Sequence, residues 1–125
     1  MKTSRLWFTL GALLAMVAVA LGAFAAHGLK KLVAPELVET FQYGVDYQFI
    51  HALALLVCAW AATQWNARLV NAAAVLFLIG MAGFSLSLYI LVLTEWRPWP
   101  LITPAGGLAM MLGWLCLAIA PWRSR

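Results

Sequence analysis

Four stretches of the chain run for twenty residues or more without a charged side chain: Leu6 to Ala26, Tyr47 to Ala67, Leu69 to Thr94 and Leu101 to Ala120. A hydrocarbon core about 30 Å thick is crossed by roughly 20 apolar residues rising about 1.5 Å each, so every stretch is long enough to span it. Alternation of apolar and polar residues at period two is absent, which argues against membrane β-strands facing a wet lumen. The pattern predicts an all-α, integral membrane four-helix bundle forming one transmembrane domain over residues 1–125. The expected spans are about 6–27, 45–65, 69–94 and 103–121.

The connections differ in kind. Asn66 to Arg68 leaves almost no loop, which forces the second and third helices to lie antiparallel and adjacent. Between the third and fourth, Glu95-Trp96-Arg97-Pro98-Trp99-Pro100 contains two prolines that block continuation, and Thr103-Pro104 offers a capping hydroxyl and a first-turn proline for the restart. The first connection is the long one. A helix from Pro35 to Trp65 would measure about 46 Å, well beyond the core, so it must project or bend. We expect Pro35 to Asp46 to form a short amphipathic interfacial segment before the second span. Leu37, Val38, Phe41 and Val45 share one side of it, Glu39, Gln42 and Asp46 the other, and Gly44 offers a bend that leaves Asp46 at the membrane boundary.

Beyond that boundary, small and polar residues follow one another at helical spacing. Gly44, Gln48, His51, Ala54, Cys58 and Ala62 line one face of the second helix, interrupted by Leu55, while Phe49, Leu53, Leu56 and Trp60 turn outward. Within lipid, helices associate through small residues and hydrogen bonds, so this stripe is the expected packing face. Small pairs four apart recur at Gly22 and Ala26, Gly83 and Ser87, and Ala109 and Gly113.

Composition agrees with the pattern. Hydrophobic residues make up 66% of the chain, charged ones 10%, and mean hydropathy is +0.94, against a charged fraction of about 25% in soluble domains. Lys2 and Arg5 before an apolar run ending in Ala23-Phe24-Ala25 resemble a secretory signal, but the run is longer than such regions and no polar domain follows, so the first helix is expected to stay. Lys2, Arg5, Arg68, Arg123 and Arg125 fall on one side of the bundle and Lys30, Lys31 and Arg97 on the other, which predicts that both termini face the cytoplasm. Trp7, Trp65, Trp96, Trp99 and Trp122 stand near helix ends, the positions of an interfacial aromatic belt.

Candidate chemistry is confined to one corner. His27, Lys30, Asp46, Tyr47, Gln48 and His51 form a candidate polar cluster in which the two histidines could approach each other near the outer boundary. Three readings compete: imidazoles satisfied by buried polar partners, a proton or ion path through His27, Asp46 and His51, or a metal or haem site lacking a third strong ligand. Cys58 and Cys116 lie deep in spans and read as small apolar fillers. The chain shows no phosphate loop, no nucleophile-and-base motif and no paired inward carboxylates, so no catalytic, cofactor-binding or metal residues are expected and the chain is not expected to be an enzyme. The net charge of +4 sits at helix ends, which suits topology signals and anionic lipid headgroups and not nucleic acid.

The blocks GAFAAHGLK (22–30), YQFIHALALL (47–56), SLSLYILVLT (85–94) and PLITPAGGLAMMLGW (100–114) resemble the YgdD/YwdK family of small inner-membrane proteins, known as domain of unknown function 423. The likeness implies a four-helix protein of the bacterial cytoplasmic membrane and brings no activity with it. Ala25 stands where the family pattern has a glycine, which argues against very close backbone contact there. Two functional classes follow. One is an accessory or scaffold protein packing with itself or with a larger membrane complex; the other is an oligomeric transporter or proton or ion path using His51 and its polar neighbours.

Overall fold

A computed structural model describes residues 2–95 and 101–123, which form helices joined by short turns, without a strand among them. Helix α1 covers Lys2–Ala26 and is followed by a 3-10 turn, Leu29–Lys31. Helix α2 covers Pro35–Gln64 and α3 covers Ala67–Met81. A π-helical turn, Ala82–Leu86, joins α3 without a break to α4, Ser87–Thr94, so the two form one long rod. Helix α5 covers Ile102–Ile119 and ends in a second 3-10 turn, Ala120–Trp122. Four of these rods, Lys2–Lys31, Pro35–Gln64, Ala67–Thr94 and Ile102–Trp122, are long and apolar enough to cross a bilayer.

Local signals set several of the boundaries. Pro35 opens α2 in the first turn, where its missing N–H costs nothing. The Asn66 side chain accepts from Leu69 N at 2.9 Å and caps α3. Glu95 closes α4 in the left-handed region, with φ 56°, and it is the one non-glycine residue at positive φ among those described. Thr103 does not cap α5; it lies inside the first turn, and its hydroxyl meets Ser87 Oγ at 2.7 Å. Because Ser87 donates to the Phe84 carbonyl at 2.9 Å, its one hydroxyl proton is used and Thr103 is the donor. Trp96, Arg97, Trp99 and the two prolines of the predicted belt and loop lie outside the described residues, as does Arg125.

The interfacial segment expected before Gly44 is not a separate element. Helix α2 continues uninterrupted through it for 30 residues, about 45 Å, and the glycine serves a close approach instead. A methyl group on Gly44 would lie 2.7 Å from Tyr89 Cε1 and 3.2 Å from the Ser85 carbonyl oxygen. The amphipathic pattern of the preceding turns holds, with Phe41 and Val45 buried and Glu39 and Asp46 exposed. Helix α1 packs chiefly on α2, and α3 on α5. Two apolar clusters result. One gathers Ala54, Leu55, Cys58, Val70 and Phe77 toward one end, and the other gathers Ala25, Leu29, Phe41, Tyr89 and Val92 toward the opposite end.

Glycines bring α5 against the third span. A methyl group on Gly83 would lie 2.9 Å from Gly106 Cα, and one on Gly106 would lie 2.6 Å from the Gly83 carbonyl carbon and 2.9 Å from the Gly80 oxygen. At Gly113 it would lie 2.6 Å from the Phe77 ring. Lipid gives helices no hydrophobic reason to associate, so backbone contact of this closeness carries dispersion and weak Cα–H···O attraction in its place. Trp7 also departs from its expected role. It is buried, and its indole donates to Asn71 Oδ1 at 2.9 Å, which ties α1 to α3 instead of anchoring it at the interface.

Candidate functional site: a hydrogen-bond hub on the second helix

Helix α2 carries the polar stripe into the middle of the bundle, and each member of it reaches a different neighbour. The Gly44 carbonyl accepts from Ser85 Oγ at 2.7 Å. Ser85 is the buried residue of the π turn, which fits an extra residue into the helix at the point of contact with α2. Gln48 uses both ends of its amide: Nε2 donates to the Leu14 carbonyl at 2.9 Å, and Oε1 accepts from the Tyr89 hydroxyl at 2.7 Å. One buried side chain thus joins α1, α2 and α4.

His51 makes the third link. Its Nδ1 lies 2.7 Å from the Tyr47 carbonyl oxygen, one turn back, and its Nε2 lies 3.0 Å from Trp114 Nε1 on α5. A carbonyl oxygen only accepts and an indole N–H only donates, so the pair of contacts fixes the ring as the neutral Nδ1–H tautomer. Protonation at Nε2 would set two N–H groups against each other. The imidazole is flanked by Phe77, with centroids 5.4 Å apart, and by Trp114, 5.7 Å apart. Tyr47 stacks beyond it and meets Phe84 at 4.7 Å. A lateral cavity of about 520 Å³ opens beside this group, lined by Tyr47, His51, Phe84, Gly107, Met111 and Trp114.

The structure divides the predicted cluster. Tyr47, Gln48 and His51 belong to the hub, whereas His27, Lys30 and Asp46 are exposed away from it. Asp46 accepts from Gln42 Nε2 at 2.8 Å, within the outer surface of α2. The two histidines do not meet. His51 lies sixteen residues, about 24 Å, along the unbroken helix from Pro35, whereas His27 sits at the same end of the bundle as Pro35. The contacts of α1 show the same register, since Leu14 faces Gln48 and a methyl on Gly11 would touch the Ala52 oxygen. This register, and not a shared boundary, sets the distance between the histidines, and a path through His27, Asp46 and His51 loses its first stations.

Buried polar side chains among the described residues are Gln48, His51, Ser85 and Ser87, and none of their buried atoms lacks a partner. No group of three His, Cys, Asp or Glu side chains gathers among the described residues. Cys58 is buried and Cys116 half-buried, and both pack in the apolar cluster of Leu55 and Phe77. Sequence reasoning missed Trp114, Tyr89, Ser85 and the π turn. The first three stood inside blocks singled out for their family likeness, with no periodic signal to mark them as partners of α2.

Comparison with known proteins places the chain among relatives along nearly its whole length. The family model described as a protein of unknown function (DUF423) matches residues 21–107, which hold Gly44, Gln48, His51, the π turn and Gly106. A UPF0382 membrane protein of Staphylococcus aureus is 40% identical over 119 residues, 95% of this chain and 97% of its own. The UPF0382 membrane protein YwdK of Bacillus subtilis is 38% identical over 117 residues, 93% of this chain and 95% of its own. The UPF0382 inner membrane protein YgdD of Escherichia coli is 35% identical over 121 residues, 97% of this chain and 92% of its own. No solved structure matches.

Proposed function

The chain belongs to the DUF423 family of membrane proteins, and on that footing we propose that it is a structural accessory of a bacterial inner membrane, a rigid four-helix body that packs with itself or with a larger membrane complex. One observation carries the reading. Every buried polar side chain is engaged in holding helices or turns together, and no charged side chain is buried among the described residues. A proton or ion path needs an ionisable group with a free lone pair that both sides can reach, and the one buried imidazole has both nitrogens committed. The faces left over are apolar. Phe8, Met16 and Val19 on α1 and Leu108, Met111 and Leu115 on α5 point away from the bundle, available to lipid or to other helices. The flanking bases favour both termini in the cytoplasm.

Two readouts on the full chain test this. Purification in mild detergent should recover a homo-oligomer or a co-purifying membrane protein. Proteoliposomes of wild type and His51→Ala should both leak protons and monovalent ions at the rate of protein-free vesicles. Wild-type flux above that background, abolished by His51→Ala, would overturn the accessory reading in favour of transport.

A further inference from the structure

A second cavity, about 600 Å³, lies at the opposite end of the fold from the chain's N-terminus, between the end of α1 and the start of α2. Its floor is apolar, made by Ala25, Ala26, Val33, Pro35 and Val38, and its rim carries Lys30, Glu39 and Gln42. The volume falls within the roughly 300–1,000 Å³ usual for small-molecule sites. The groove exists because α1 closes on two alanines while the 3-10 turn Leu29–Lys31 carries the chain across to α2.

Its depth follows from α2. The uncharged stretch from Tyr47 to Gln64 accounts for about 27 Å of the roughly 30 Å core, and Glu39 lies about 12 Å farther along the helix, at headgroup level. The two rim charges have opposite sign. The Glu39 carboxylate accepts from the Tyr43 hydroxyl at 3.3 Å, which restrains it, and Gln42 is turned toward Asp46. Lys30 is exposed, lines the groove and forms no ion pair with a described residue.

We propose that this groove is a binding site for one zwitterionic phospholipid bearing a primary ammonium headgroup. Lys30 takes the phosphate, Glu39 takes the ammonium, and the glycerol and first acyl carbons lie against Ala25 and Ala26, from which the chains descend into the hydrocarbon. The three features demand one amphiphile: an anionic lipid satisfies Lys30 and repels Glu39, and a quaternary ammonium has no N–H to donate to the carboxylate. Occupancy also gives this otherwise apolar body a fixed depth and rotation at its outer end.

The test uses the delipidated full chain exchanged into nanodiscs of equimolar phosphatidylethanolamine, phosphatidylglycerol and phosphatidylcholine, with retained lipid counted by native mass spectrometry. One phosphatidylethanolamine per chain should be retained in preference to the other two. Glu39→Gln should lower that preference about two- to fivefold, the size of an exposed ion pair, and Lys30→Gln should lower retention of phosphatidylethanolamine by a similar factor without raising that of the other two. Ala26→Leu, at an exposed position, should fill the groove and abolish retention while helicity by circular dichroism stays unchanged. Phosphatidylglycerol held as well as phosphatidylethanolamine, or indifference to Glu39→Gln, would overturn the proposal.

Discussion

Gly106→Ala is expected to lower stability by about 1–3 kcal/mol, measured as unfolding in mixed micelles of rising denaturing-detergent fraction. A Cβ at that position meets the Phe84 amide nitrogen, the Gly83 carbonyl carbon and the Gly80 oxygen, all of them backbone, and no rotamer change can clear them. The helices must separate, and with them goes the dispersion contact that replaces hydrophobic association in lipid. The neighbouring Gly107→Ala provides the control. Its Cβ would find only the Phe84 ring edge, at an ordinary 3.8 Å. Alanine's helix preference should then make the change neutral or stabilising by up to about 1 kcal/mol. Equal destabilisation by both would show that α5 does not press on the π turn.

The second large effect is expected at Gln48. Gln48→Leu keeps the volume close but removes the acceptor of the Tyr89 hydroxyl, leaving a buried O–H without its partner at a cost of about 1–3 kcal/mol. The Leu14 carbonyl suffers less, because it lies within α1 and has helical backbone partners. Tyr89→Phe should therefore cost less in the Gln48→Leu background than in wild type, with a coupling of about 0.6–1.7 kcal/mol in a double-mutant cycle. Strict additivity would mean that the contact carries no energy.

What the chain disclosed before its structure was known follows the reach of local physics. Uncharged run lengths sufficed for four membrane-crossing helices, and the three- and four-residue spacing of Gly44, Gln48, His51, Ala54 and Cys58 marked a face that is buried in the bundle, with Phe49, Leu53 and Trp60 left outside. Leu55 looked like an interruption of that face, yet it is fully buried, since a helix surrounded on several sides buries more than one stripe. The failures lie in what spacing along one helix cannot encode. Gly44 reads equally as a hinge and as a contact, and spacing along one helix does not say which residues of α1 lie beside His51. Trp7 near a helix end suggested an interfacial anchor, but its partner Asn71 lies 64 residues away on α3. The π turn has no mark in the local sequence, and its contacts, Gly83 with Gly106 and Ser85 with the Gly44 carbonyl, are all to distant residues. Gly83 and Gly113 were visible as members of small pairs, whereas Gly80 and Gly106 became meaningful only once α3 and α5 were seen side by side.

The most direct measurement is the ¹⁵N spectrum of the His51 imidazole in liposomes, with His27→Gln to leave a single histidine. The hub requires a neutral ring with the proton on Nδ1 and a bare Nε2 accepting from Trp114, so the spectrum at neutral pH should show one protonated and one unprotonated nitrogen in that order. A ring protonated at Nε2, or an imidazolium exchanging with water, would contradict it.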